Sequence, residues 1–198
     1  MDKKNIWVPA FAGIRIRISG DSGRVVFVYG GLHGEYNAGM KKGPAIKIII
    51  SLAVTFSAPL IASFIANPGT SDWYANLDKP CFNPPGWVFG PVWTVLYVLM
   101  AVSAGLVWQT GLGERKVRIA MGLYLVQLFL NALWTPLFFG LEMPLLAFID
   151  IVLLWAGIIF TILAFSKVSR YGALLMAPYL GWTTFASVLN FSLWYLNR

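Results

Sequence analysis

Residues Pro80–Gly113 read PCFNPPGWVFGPVWTVLYVLMAVSAGLVWQTGLG, without one Asp, Glu, Lys or Arg. Within them, about Trp87–Gln109 is long and apolar enough to cross a bilayer, which takes roughly 20 residues of helix. A buried core helix of a soluble protein can look the same. Four further stretches repeat the pattern: about Ile46–Ala66, Ile119–Phe139, Pro144–Phe165 and Gly172–Leu196. Five in succession predict an all-α membrane protein, a bundle of five transmembrane helices. Composition agrees: the 198 residues are 58% hydrophobic and 12% charged, against about 25% charged in a soluble domain. Mean hydropathy is +0.70, which excludes a disordered chain.

The net charge of +7 does not make a nucleic-acid protein. Residues 1–43 hold seven bases and three acids, and the remaining bases lie between apolar runs instead of forming a continuous basic face. Residues 1–39 alternate short apolar runs with Gly and Arg, and no span fits there. They lack the apolar core and small-residue cleavage site of a signal peptide. Met40-Lys41-Lys42 before an apolar run reads like a natural start. Residues 1–43 are therefore expected to be an N-terminal extension, disordered or a mis-assigned start, with a real cytoplasmic arm as the alternative. Residues 44–198 are expected to be the membrane domain.

The connectors set the topology. Asn67–Gly86 (NPGTSDWYANLDKPCFNPPG) is long, breaks on Pro and Gly, and carries Trp73, Tyr74, Leu77 and Phe82, more aromatic surface than a solvated loop needs. It is expected to fold back over one bundle end, with a short helix near Asp72–Leu77. The other connectors are short, so neighbouring helices run antiparallel. Lys41, Lys42, Lys47, Arg115, Lys116, Arg118, Lys167 and Arg170 then share one end, and only Lys79 and Arg198 lie at the other. The positive-inside rule puts the N-terminus in the cytoplasm, with loop 67–86 and the C-terminus outward, in an integral multi-pass protein of the cell envelope.

Familiar catalytic chemistry is scarce. One cysteine, Cys81, and one histidine, His33, leave no disulfide, no multi-cysteine metal site and no nucleophile with its base. No catalytic or metal-ligating residue is assigned, and no P-loop or dinucleotide fingerprint is present. Polar groups inside the spans are the better lead, since burying them in hydrocarbon is costly. Asp150 is the acid well inside a span; it could bond another helix, bind a cation or carry a proton. Gln127 and Asn131, four apart, share a face with Trp134; that stripe could line a cavity or glue helices together, and Asn190 is equally ambiguous. Trp87, Trp108, Trp155 and Trp194 suit interfacial belts. Trp93 and Trp182 sit deeper, where an indole can stack on a planar ligand or simply pack the core. Pro136 and Pro178 should bend or break their helices, and Ala101 with Gly105 forms a small-xxx-small pair that could mark a dimer face.

With these residues in view, Trp73–Trp108 (WYANLDKPCFNPPGWVFGPVWTVLYVLMAVSAGLVW) resembles the signature region of the TspO/MBR family of tryptophan-rich sensory and translocator proteins. NALWTPLFFG (Asn131–Gly140), FIDIVLLW (Phe148–Trp155) and APYLGWTTFASVLNFSLWYLN (Ala177–Asn197) extend the resemblance over about residues 44–198. It implies a five-helix bundle, usually a homodimer in membrane lipid, with a pocket beneath the first loop. The implied ligand is a tetrapyrrole such as protoporphyrin IX, or another planar hydrophobic molecule, with no obligatory cofactor. By position, Tyr74, Trp93, Asn131 and Trp182 resemble pocket residues, and Asp150 matches a common acidic position. Trp134 and Phe185 join them by helical spacing. Phe82 departs from the Trp many relatives carry, which preserves packing but removes a redox-active indole.

The resemblance implies a binding or sensory protein that regulates tetrapyrrole metabolism or a stress response. Two alternatives stand beside it: a small transporter of hydrophobic or porphyrin-like solutes, with Asp150 as proton carrier, and a light-dependent porphyrin-degrading enzyme.

Overall fold

A membrane helix must satisfy its own backbone, and Pro denies it a donor; the prolines therefore decide where these helices change. The computed structural model describes residues 6–9, 15–18, 24–29, 32–37, 42–65 and 71–198. The chain divides into two units, one ending at Lys42 and the other running Gly43–Arg198.

In the first unit, β1 (Ile6–Pro9), β2 (Arg15–Ile18), β3 (Arg24–Tyr29) and β4 (Leu32–Asn37) form an antiparallel sheet in the order β1-β2-β3-β4. Ile16 lies opposite Phe27, and Val28 opposite His33. The sequence reading assigned no element to these residues. The alternation Arg15-Ile16-Arg17-Ile18 has the period of a strand, too short to register against the five long apolar runs.

The second unit is all-α among its described residues. It comprises α1 (Lys42–Ile65), α2 (Ser71–Asn76), α3 (Gly86–Gln109), α4 (Arg115–Thr135), a π-helical turn (Pro136–Gly140), α5 (Pro144–Ser166), α6 (Arg170–Leu175) and α7 (Ala177–Leu196). Five segments are long and apolar enough to cross a membrane: Ala45–Ile65, Gly86–Gln109, Arg115–Gly140, Pro144–Ser166 and Arg170–Leu196. The five expected spans are these, with ends moved by a few residues; α2 is the short helix expected in the long loop.

Two interruptions follow from proline. Pro136 has no N–H to continue the α4 ladder, so the chain widens and Leu141 N donates to Pro136 O at 2.8 Å, five residues back. Glu142 then takes φ 54° in the turn into α5. Pro178 lies in the first turn of α7, and the fifth span breaks at Met176 into α6 and α7. Both prolines break their helices as expected.

Packing inverts the soluble pattern. On α1, Ser51, Thr55, Ala58 and Ala62 are buried, whereas Ile49, Ile61 and Phe64 are exposed. Thr55 Oγ1 and Tyr124 Oη hydrogen-bond at 2.6 Å, joining α1 to α4. A Cβ on Gly105 would lie 2.7 Å from Ile48 Cγ1 and 3.1 Å from its Cα. Gly105 therefore seats α1 against α3 within the chain. Ser103 Oγ donates to Gly172 O at 2.6 Å, tying α3 to α6. Between α4 and α5, a Cβ on Gly157 would meet Gln127 Cβ at 3.3 Å, a close approach that only a small residue permits.

Candidate functional site

A cavity of about 440 Å³ opens among α1, α2, α3, the end of α4, α5 and α7, within the range usual for small-molecule sites. From α3 come Gly86, Phe89, Trp93 and Tyr97, a single helical face descending roughly 16 Å. Asn131, Trp134, Thr135, Phe138 and Phe139 come from the end of α4 and its π-helical turn. Trp182, Thr183, Ala186, Leu189, Asn190 and Leu193 come from α7, with Ile151 and Leu154 from α5, Pro59 from α1 and Tyr74 from α2.

Two hydrogen-bond networks hold the wall. Tyr97 Oη donates to Asn131 Oδ1 at 2.8 Å, and Asn131 Nδ2 donates to Tyr179 Oη at 3.0 Å, so one amide joins α3, α4 and α7. Trp134 Nε1 donates to Asn190 Oδ1 at 2.9 Å, and Asn190 Nδ2 donates to the Pro144 carbonyl at 2.9 Å. Asn131 and Asn190 thus do both things the sequence left open: they join helices and they line a cavity. Trp93 stacks on Tyr97 with 5.5 Å between centroids and 27° between planes. Trp134 stacks on Phe138 at 5.0 Å and 16°.

The loop caps this arrangement with aromatic edges. Trp73 meets Phe138 at 5.6 Å, and Tyr74 meets Phe139 at 5.6 Å. Tyr74 Oη donates to Asn83 Oδ1 at 3.2 Å. Burial raises the Tyr74 phenol above its ordinary pKa, and the bond to Asn83 opposes this only in part. Phe82 meets Phe185 at 6.3 Å, so the loop packs on α7 through this phenyl ring. Asn197 fastens the far side: Asp78 N donates to its Oδ1 at 2.9 Å and its Nδ2 donates to Asp78 O at 3.0 Å.

Of the seven candidates, Tyr74, Trp93, Asn131, Trp134 and Trp182 line the cavity. Phe185 lies beside it, between Trp182 and Phe82. Asp150 is buried on α5 outside the lining, and its Oδ2 has no hydrogen-bond partner among the described residues. Gln127 is also outside, its amide fully buried and without a partner among the described residues. Two polar atoms of lining residues, Trp182 Nε1 and Thr183 Oγ1, are likewise buried without partners among the described residues. Lys79 Nζ donates to Ala75 O at 2.9 Å and Leu77 O at 3.0 Å and sits 5.0 Å from the Tyr74 ring centroid.

Sequence reasoning missed Phe89, Tyr97, Phe138, Phe139 and Thr183. A Pro inside the aromatic run WTPLFFG was the available signal for the two phenylalanines. It predicted a break, and a π-helical turn at that break re-aims the residues after it.

The fold and cavity define a multi-pass helical membrane protein with an internal, aromatic-lined chamber beneath a loop that carries Trp73 and Tyr74. Residues 49–196 match the TspO/MBR family, and the chain belongs to it. It is 42% identical over 155 residues to the tryptophan-rich protein TspO of Chlorobaculum tepidum, covering 76% of this chain and 98% of that protein. It is 39% identical to the TspO of Archaeoglobus fulgidus, covering 77% of this chain and 97% of that one. The human translocator protein is 42% identical over 128 residues, 64% of this chain and 75% of the human one.

Proposed function

We propose that this membrane protein binds a planar apolar ligand of the tetrapyrrole class in the chamber and acts as a sensor of it. The observation that carries the reading is the chamber's lining. Three indoles, Trp93, Trp134 and Trp182, share it with the phenyl rings of Phe89, Phe138 and Phe139. Aromatic faces suit a flat macrocycle. The carboxylates of a porphyrin would lie toward Tyr74 and the loop, where Lys79 is the nearest cation in sequence.

Titrating the purified full chain with protoporphyrin IX while following tryptophan fluorescence tests this. Saturable quenching is expected, weakened by about 1–3 kcal/mol, roughly 5- to 150-fold in Kd, in Trp93→Ala or Trp182→Ala. Unchanged affinity in both variants refutes the assignment. Repeating the titration under illumination with product analysis separates binding from light-dependent degradation.

We also propose that the end carrying Arg115, Lys116 and Lys167 faces the cytoplasm, by the positive-inside rule. Cys81 is the one cysteine in the chain and is exposed on the loop. A membrane-impermeant maleimide should therefore label intact cells; labelling only after permeabilisation reverses the orientation.

A further inference from the structure

At the bundle end opposite the chamber's loop, a groove of about 640 Å³ runs between the start of α4 and the end of α5. Its rim carries Arg115, Lys116 and Lys167, and its floor includes Ile119, Phe160 and Leu163, all of them exposed. Two other cations at this end are already engaged. Arg118 donates to the Leu112 and Gly113 carbonyls at 3.0 and 2.8 Å. Lys47 donates to the Trp108 carbonyl at 3.2 Å. The three rim cations have no hydrogen bond or ion pair from their side chains among the described residues, and the neighbouring acid Glu114 is not part of the lining. The spans begin at Arg115 and end at Ser166, so the rim lies at headgroup level and the floor at the level of the first acyl methylenes.

We infer that this groove is a binding site for an anionic phospholipid. Its phosphate would sit among Arg115, Lys116 and Lys167, and an acyl chain would lie along Ile119, Phe160 and Leu163. Charge complementarity selects the occupant: a zwitterionic lipid brings its own cation to a rim that holds three, and a soluble anion leaves the apolar floor uncovered. Positive charge at the end of a span serves topology in general; convergence of three uncommitted cations over one apolar groove adds recognition of a headgroup. The proposal is independent of the chamber and its ligand.

Native mass spectrometry of the full chain in detergent, offered equal phosphatidylglycerol and phosphatidylcholine of matched acyl chains, tests it. Preferential retention of phosphatidylglycerol is expected, falling about fivefold for each of Arg115→Gln, Lys116→Gln and Lys167→Gln, by the usual worth of one cation near an anionic headgroup. Leu163→Trp, which fills the floor and keeps every charge, should also lower retention. The charge-conserving Lys167→Arg should leave it unchanged, which guards against misfolding as the cause of a loss. Equal retention of the two lipids, or a preference surviving in the triple Gln variant, overturns the site. Displacement of the lipid by glycerol phosphate as effectively as by short-chain phosphatidylglycerol would show a soluble-anion site and overturn the lipid.

Discussion

Replacing Asn131 by Leu should destabilise the bundle by about 2–3 kcal/mol, and about 1 kcal/mol of the loss should be coupled to Tyr179. Asn131 makes two bonds, accepting from Tyr97 at 2.8 Å and donating to Tyr179 at 3.0 Å. Interhelical hydrogen bonds in membranes average about 0.6 kcal/mol and reach about 1.7, so the bonds alone account for roughly half the figure. The remainder comes from what is left behind. Tyr97 lines the chamber, where water or ligand can replace its lost partner. Tyr179 has no exposed surface, so its hydroxyl would be stranded at about 1–3 kcal/mol. Tyr179→Phe removes that hydroxyl and with it the penalty. The double variant Asn131→Leu/Tyr179→Phe should therefore be no less stable than Asn131→Leu alone, a coupling of about 1 kcal/mol. Asn131→Leu/Tyr97→Phe should be closer to additive. The measurement is unfolding free energy from reversible titration of dodecyl maltoside micelles with a denaturing detergent. A loss below about 0.3 kcal/mol for Asn131→Leu, or strict additivity with Tyr179→Phe, would refute the network as the wall's support.

Two further outcomes follow from the loop and the first helix. The Tyr74 phenol is raised by burial, so the folded protein holds that proton over a range in which the unfolded chain has released it. Its contribution to loop docking is present in full below the ordinary tyrosine range, about pH 10, and is lost as pH climbs through the raised value. Phenolate absorbance should lose one late-titrating tyrosine when Tyr74 is replaced by Phe; loss of an ordinarily titrating tyrosine instead would count against the docked loop. Gly105→Val should cost about 1–3 kcal/mol by forcing Ile48 and the α1 backbone away. Sedimentation should give the same oligomeric size as the parent; a change of size would show that this face contacts another chain after all.

The spans were legible because crossing hydrocarbon makes a demand on length and polarity that composition alone displays. Their ends shifted for local reasons: α4 starts on the Arg115 cluster, and Ser169 caps α6 by accepting from Gly172 N. Which face of each helix turns inward was far less legible. In a soluble helix the apolar stripe marks the core, but here both sides of a helix are apolar. On α1 the inward side is instead the small and hydroxyl-bearing one, Ser51, Thr55, Ala58 and Ala62. That inverted rule would have placed α1 correctly and would have assigned Gly105 to an internal contact. It fails on α5, where Asp150 and Thr161 point inward but so do Ile151, Leu154 and Ile158. The site divides along the same line. Trp93 and Trp182 were visible because a deep indole is unusual in any span. Tyr97 and Tyr179 were passed over as ordinary aromatics, since their role depends on an asparagine three-dimensionally between them and not on any spacing along the chain. Phe138 and Phe139 depend on a π-helical turn, which shifts the helical count that places residues on a face. Helical counting drew Phe185 in with Trp182, three residues earlier, yet its ring is held beside the chamber by Phe82 of the loop. What the sequence of a membrane bundle specifies poorly is therefore rotation about each helix axis, and the polar side chains that fix that rotation, Thr55, Asn131 and Asn190, are the residues that also shape the chamber.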